Sequence, residues 1–291
     1  MAMRPKTVAA PACQQVVLRG QDIDRAKLPV QTCWPGEPAP LITWPLIVTK
    51  GPSDARGDNF NLGIYRLLFR GRAMIVNFHR VYDRYSSNVI SCSTRPFARF
   101  CAFFQRFFII VSFSELLGKL ERGDDISRHL VITLDDGYRD NHDFVARHLK
   151  RFGLPASFFV TTDFIGTDRI PWWDAEAGIA SEWMTWDQVR HLRAQGFELG
   201  AHTCNHVDLS VSSGAEALDE IVRSGQRLSQ EIDAPVTLFA YPYGRKHQIS
   251  EENRTIVKSR DRCCVSAFGG TVVTGTDPYR MQRMPISQWH R

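Results

Sequence analysis

The feature that most constrains this chain is a series of short apolar runs that stop abruptly on polar residues, with helical patterns between them. The sharpest is Val131-Ile132-Thr133-Leu134-Asp135-Asp136-Gly137, in which apolar and β-branched residues give way to two adjacent carboxylates and a glycine. Successive side chains on a strand face opposite ways, so paired acids at its end can serve two tasks, one at a metal and one on a proton. Taken alone, the same residues also read as a plain Asp-Gly turn. Three more runs end on chemically capable groups. The run 73–79 closes on His79, the run 197–202 on His202 with His206 beyond it, and the run 236–241 leads into Tyr241-Pro242-Tyr243-Gly244.

Between these runs the spacing predicts helices over 97–108, 114–121, 142–151, 185–195, 214–232 and 249–259. Further strands are expected over 109–111, 156–162, 264–268 and 281–286. In 97–108, Phe100, Phe103, Phe104 and Phe107 fall at core-facing spacing, although a membrane-surface helix would look similar. Ser112 or Ser114, and Thr185, stand where N-caps belong. Strands alternating with helices imply βαβ units and a parallel sheet, in a barrel or a doubly wound arrangement. A barrel assembles its active site from several strand ends on one face, and four capable ends fit one shared site. Residues 1–60 are broken by Pro29, Pro35, Pro38, Pro40 and Pro45 and read as an irregular extension ahead of a domain over 61–291.

Composition narrows the partners. The 291 residues carry a formal net charge of +5 but no run of five or six like charges, which argues against a nucleic-acid tail. A weak attraction to anionic surfaces or glycans stays open. Seven scattered cysteines without a CxxC pair argue against a disulfide framework and against a cysteine-ligated zinc. Residues 1–20 include Arg4, Lys6 and Arg19 without an apolar core of signal-peptide length, and no stretch is long enough to span a bilayer. The expected compartment is the cytoplasm, with peripheral membrane contact left open and the oligomeric state unread.

His202-Thr203-Cys204-Asn205-His206 places two imidazoles four residues apart, on one face if the segment makes a helical turn. With a carboxylate, the set becomes two histidines and one acid with open positions, the ligand type of a catalytic zinc or related site. A lone His-x3-His pair is more often exposed or structural; the neighbouring Asp-Asp strand end favours the metal reading.

With these motifs in place, the sequence resembles the polysaccharide deacetylases of carbohydrate esterase family 4 over about 75–286. Leu134-Asp135-Asp136-Gly137 resembles the family's first motif, His202-Thr203-x-x-His206 the second and Tyr241-Pro242-Tyr243-Gly244 the third. The resemblance implies a distorted (β/α) barrel of about seven parallel strands. It implies Asp135 as general base, Asp136, His202 and His206 as ligands of a divalent metal (Zn2+ first, Co2+ or Ni2+ as alternatives), and an N-acetylated glycan or glycan precursor as substrate. The backbone N–H of Tyr243 is the expected oxyanion donor. Two departures stand out. Ala240 occupies the position where many members carry an arginine that orients the base, and Arg245 lies nearby. The final strand, Arg283-Met284-Pro285-Ile286, lacks the histidine that supplies the acid. His79, in Asn77-Phe78-His79-Arg80-Val81, resembles the N-terminal acid of a circularly arranged branch; a core or loop histidine is the plainer reading.

Trp172 and Trp173, in an expected loop, could line a glycan groove or pack inward; Tyr241 and Arg245 join them as candidate substrate contacts. Asp140 and Asn141 could support the acid pair or cap the next helix. The expected activity is a metal-dependent hydrolase removing N-acetyl groups from an amino-sugar glycan. The alternatives are a catalytically weak glycan-binding relative, or a hydrolase of a non-sugar C–N bond.

Overall fold

The computed structural model describes residues 55–85 and 90–286, with side chains from residue 62 onward. Most of the expected N-terminal extension, residues 1–54, lies outside the described residues, and helix α1 (Ala55–Leu68) already begins inside the boundary placed at 60. The chain continues as β1 (Arg72–Phe78), β2 (Arg80–Val81), β3 (Ser91–Cys92), α2 (Thr94–Phe107), β4 (Ile109–Ile110), α3 (Phe113–Arg122) and β5 (His129–Leu134). A π turn, Asn141–Ala146, leads into α4 (Arg147–Arg151), then β6 (Ser157–Val160), α5 (Trp172–Glu176), α6 (Trp186–Ala194) and β7 (Glu198–Ala201). The last elements are α7 (Gly214–Ile232), β8 (Leu238–Ala240), α8 (Glu251–Lys258), β9 (Cys263–Val265), β10 (Val272–Val273) and β11 (Met284–Pro285).

The sheet is curled and mostly parallel, in the order β10-β1-β5-β6-β7-β8-β9, and forms an α/β half-barrel. Every residue of β5 is buried, as expected of a parallel strand covered on both faces. The open side is crossed by residues 281–286. Met281 bridges to Val265 of β9, β11 pairs in parallel with Val76 and Asn77 of β1, and the Ile286 N–H donates to the Asn77 carbonyl. An expected apolar strand thus becomes a two-residue strand that stitches the two edges together.

Local chemistry explains the helix ends. The Ser112 and Ser213 hydroxyls accept from Glu115 N–H and Glu216 N–H, and Thr185 forms a reciprocal capping box with Gln188. Helix α3 stops at Gly123, whose φ of 71° is left-handed. Helix α2 buries Phe97, Cys101, Phe104 and Phe107, while Phe100 and Phe103 pack half-covered at its flanks. Core packing therefore accounts for the aromatic stripe.

Candidate active site

The site sits at the C-terminal ends of β1, β5, β7 and β8. Asp135 and Asp136 follow β5 directly and both are buried. Asp136 takes a φ of 76° and Gly137 one of 94°, so the chain turns sharply here. A Cβ at Gly137 would lie 2.9 Å from the Ile165 Cδ1, and the left-handed φ there favours glycine. This turn sends the two carboxylates in different directions.

Asp135 points toward β1 and β11. The Arg283 guanidinium grips it with both arms, Nη1 to Oδ1 at 2.7 Å and Nη2 to Oδ2 at 2.6 Å. Asn77 Nδ2 adds a bond to Oδ2 at 3.1 Å. Arg283 is fully buried and also donates to the Ser266 carbonyl, Asn77 Oδ1 and Thr133 Oγ1, so its charge is fixed in a closed network. Burial pushes the Asp135 carboxyl up, but the charges of Arg283 and then His202 outweigh it and hold the group below the usual carboxylate value. Arg283, not Arg245, is the guanidinium partner of Asp135. Its clue in the sequence is an arginine inside an expected strand that also holds Met281, Met284 and Ile286, a placement that calls for a buried partner.

Asp136 points the other way. Its Oδ1 lies 3.4 Å from His202 Nε2 and 3.3 Å from His206 Nε2. His202 Nδ1 is 2.8 Å from the Ala240 carbonyl, which can only accept, so that nitrogen carries the hydrogen and Nε2 offers its lone pair to the cluster. Asp136 Oδ1 has no hydrogen-bond partner. A buried carboxylate oxygen facing imidazole nitrogens, all within 4.8 Å of one another, is a donor set that fits a divalent cation. Burial pushes Asp136 up, yet the two imidazoles that face it, His202 and His206, prevail and hold it well below the ordinary value. Burial likewise pushes His202 down, while the Asp135 and Asp136 charges raise it overall.

The two histidines do not share a helical turn, as their spacing suggested. They stand on a loop after β7 in which Thr203 and His206 are left-handed, with φ of 62° and 56°. Glu220 of α7 templates that loop. One carboxylate oxygen accepts the Cys204 and Asn205 backbone N–H groups at 2.8 Å each, and the other accepts Asn205 Nδ2 at 2.7 Å. Thr203 Oγ1 accepts from the His206 N–H at 3.0 Å. Glu220 is buried on the apolar face of α7 beside Ala217 and Ile221, and an acid on such a face was the signal for this role.

His79 follows β1, and the charges of Asp136, Asp135, Arg283 and His202 all act on it. Burial lowers its pKa and the two carboxylates only partly restore it. Its backbone is pinned from outside, because Asn141 Nδ2 donates to the His79 carbonyl at 2.8 Å and Asp140 Oδ2 accepts the Val81 N–H at 2.8 Å. Asp140 and Asn141 therefore hold the His79 corner, and Asp140 makes no side-chain cap. Burial raises the Asp140 carboxyl to about 7.

Of the candidate substrate contacts, Trp172 and Trp173 open a short helix, α5, where a loop was expected. Trp172 is 53% exposed, and its Nε1 donates to the Tyr243 hydroxyl at 3.1 Å. Trp173 faces the His206 ring at 4.6 Å, and His206 faces Tyr243 at 4.7 Å, so these rings wall one side of the cluster. Tyr241 is placed differently. Its ring is buried in the core against Phe239, on the face opposite Ala240. Arg245 is partly exposed at the start of the turn Lys246–Gln248.

Fold and site together define a class, that of α/β half-barrel hydrolases whose reactive groups gather at strand C-termini. More specifically, residues 122–260 match the model of the polysaccharide deacetylase family. A second model, the 3-octaprenyl-4-hydroxybenzoate carboxy-lyase Rift-related domain, matches residues 6–89. The described part of that match includes β1, which pairs with β5 inside the deacetylase sheet. Among solved structures, the chain is similar to the Streptococcus pyogenes deacetylase PplD in complex with acetate (TM-score 0.62, 19% identity, 75% of this chain and 93% of that one). It is also similar to IcaB from Ammonifex degensii (0.63, 19%, 76% and 96%) and to a de-N-acetylase from Aggregatibacter actinomycetemcomitans (0.60, 19%, 75% and 95%). At these identities the likeness establishes the shared fold.

Proposed function

We propose that the chain hydrolyses the acetamide of an N-acetylated amino sugar, in a glycan or glycan precursor, with a divalent cation held by Asp136, His202 and His206. The observation that carries this reading is the split between neighbours. Asp135 is saturated by a fixed guanidinium, whereas Asp136 presents a bare oxygen to two imidazoles. A divalent cation bound there lowers the pKa of water and polarises the amide carbonyl.

Asp135 takes the proton of the attacking water, and Arg283 holds it ionised and aimed. The Tyr243 backbone N–H donates to the developing oxyanion. His79, from the opposite strand end, protonates the leaving amine. A lowered pKa makes it a stronger acid but restricts its protonated form to lower pH, so turnover declines as pH rises through a value below the ordinary imidazole one. Trp172 and Trp173 offer faces on which a sugar ring can stack, and Arg245 is a further candidate contact.

The reading of a weak glycan-binding relative rests on Ala240 and on the missing C-terminal histidine; the Arg283 grip on Asp135 answers the first, and His79 is the candidate for the second. The test is acetate release from N-acetylglucosamine oligomers by the chelated protein, before and after adding Zn2+, Co2+ or Ni2+. Release that depends on added metal supports the proposal. Binding of oligomers without release under any metal would replace it with the binding-module reading.

A further inference from the structure

The base of the half-barrel, opposite the site, carries a second feature that the proposed chemistry does not use. Helices α1, α2 and α4 each end just before a strand begins, at Arg72, Ile109 and Ser157, so their last turns gather at the N-terminal end of the sheet. They are contiguous there. Phe69 and Phe108 rings stand 5.0 Å apart, the Arg128 N–H donates to the Phe69 carbonyl while its carbonyl accepts from Ile109, and Gln105 Nε2 donates to the Phe152 carbonyl.

Four large apolar side chains protrude from this end: Leu67 (75% exposed), Leu68 (48%), Ile109 (44%) and Phe152 (47%). Around them stand exposed cations, namely Arg66, Arg70, Arg72, Arg106, Lys150 and Arg151. The stretches 62–72, 94–110 and 147–155 contain no aspartate or glutamate at all. The carboxylates close to this end are already engaged, Glu198 by Phe113, Ser114 and Ser157, Asp124 by Arg122 and Asp125 by Ser127.

Cations at helix C-termini have a plain structural use, since they complement the helix dipole. That use does not explain why large apolar groups are left exposed among them. The combination suits an anionic bilayer: cations reach the headgroup charge while leucine, isoleucine and phenylalanine enter the boundary below it. A soluble polyanion would use the charges and leave the apolar groups in water. We propose that this end docks on the surface of an anionic lipid membrane, without spanning it, so that the site faces away from the bilayer. The proposal is independent of the acetamide chemistry.

The experiment is co-sedimentation of the full chain with vesicles of phosphatidylcholine alone or with about one-third phosphatidylglycerol, at low and high salt. Binding to the anionic vesicles only, weakened by salt, is expected. The charge reversal R66E/R70E/R106E/K150E is expected to weaken it at least about tenfold. The variant L67S/L68S/F152S is expected to lose the part that survives high salt, with acetate release from soluble oligomers unchanged in both variants. Failure to bind anionic vesicles overturns the proposal, as does binding that survives charge reversal. A dimer in solution that L67S/L68S/F152S converts to monomer would reassign the face to a second copy of the chain. Retention on heparin without vesicle binding would reassign it to a soluble polyanion.

Discussion

On the Asp135 side the site is built from strand interiors: Asn77 of β1, Thr133 of β5 and Arg283 beside β11, tied by side-chain hydrogen bonds across the sheet. On the Asp136 side it is built from a loop held in left-handed conformations by one helix carboxylate, Glu220. The first region fixes a charge by surrounding it with partners. The second leaves polar atoms unpartnered and fixes the backbone instead. A base needs a stable ionisation state and a narrow aim, which a saturated network supplies. A metal-ligand set needs vacant lone pairs at set distances, which only a restrained backbone can keep open. The difference teaches that adjacent residues of one motif can be governed by unrelated parts of the fold.

The comparison breaks most sharply at the ligands. Asp136→Asn or His206→Ala should abolish stoichiometric metal binding and cut acetate release by about a thousandfold or more, read by metal analysis and steady-state kinetics. Retained metal with full activity would show that the open side is not a ligand set.

Removal of the Asp135 partner should act differently. Arg283→Met leaves a buried carboxylate without its cation and with only the Asn77 amide bonded to it, at a cost of about 3–5 kcal/mol in folding stability. The sign follows from the lowered pKa: the stabilisation of the pair is present above the ordinary carboxylate value and is lost as pH falls through the lowered one. In the variant, Asp135 loses the charge that holds it down, so the acid limb of the rate profile should move to higher pH while metal affinity stays near that of the parent. An unmoved acid limb would remove Asp135 from the role of base.

His79→Ala should keep the metal and lose about 10²–10⁴ in kcat, together with the alkaline limb of the profile. An unchanged kcat would sink the acid role. Smaller still, Glu220→Gln should weaken metal affinity by about 10–100-fold, measured by competition with a chromophoric chelator, while the protein stays folded by circular dichroism. Unaltered affinity would mean that the loop keeps its shape unaided.

The sequence made the Asp136 side far more legible than the Asp135 side. His202 and His206 belong to a local motif whose spacing survives any error in fold, although the loop geometry was misread as a helical turn because two left-handed non-glycine residues leave no mark in composition. The βαβ alternation, the long helix over 214–232 and the strand ends at Asp135 and His79 were equally visible, since periodicity reports them directly. Arg283 was not. It comes from 148 residues beyond Asp135, and only the pairing of β11 with β1 brings the two together. Glu220 escaped for a similar reason: its partners are backbone N–H groups, which every sequence possesses and none displays. Tyr241 was assigned by motif membership, whereas the alternation of its strand decided its direction.

The stitch formed by residues 281–286 has a consequence for how this protein would fail. Closing the open side of the sheet and holding the Asp135 charge depend on the same few residues, so a transient fraying of that edge would release Asp135 from Arg283 while the rest of the core stayed packed. Loss of turnover on mild warming or in dilute urea would then precede any global change in secondary structure, making activity itself a sensor of one small opening.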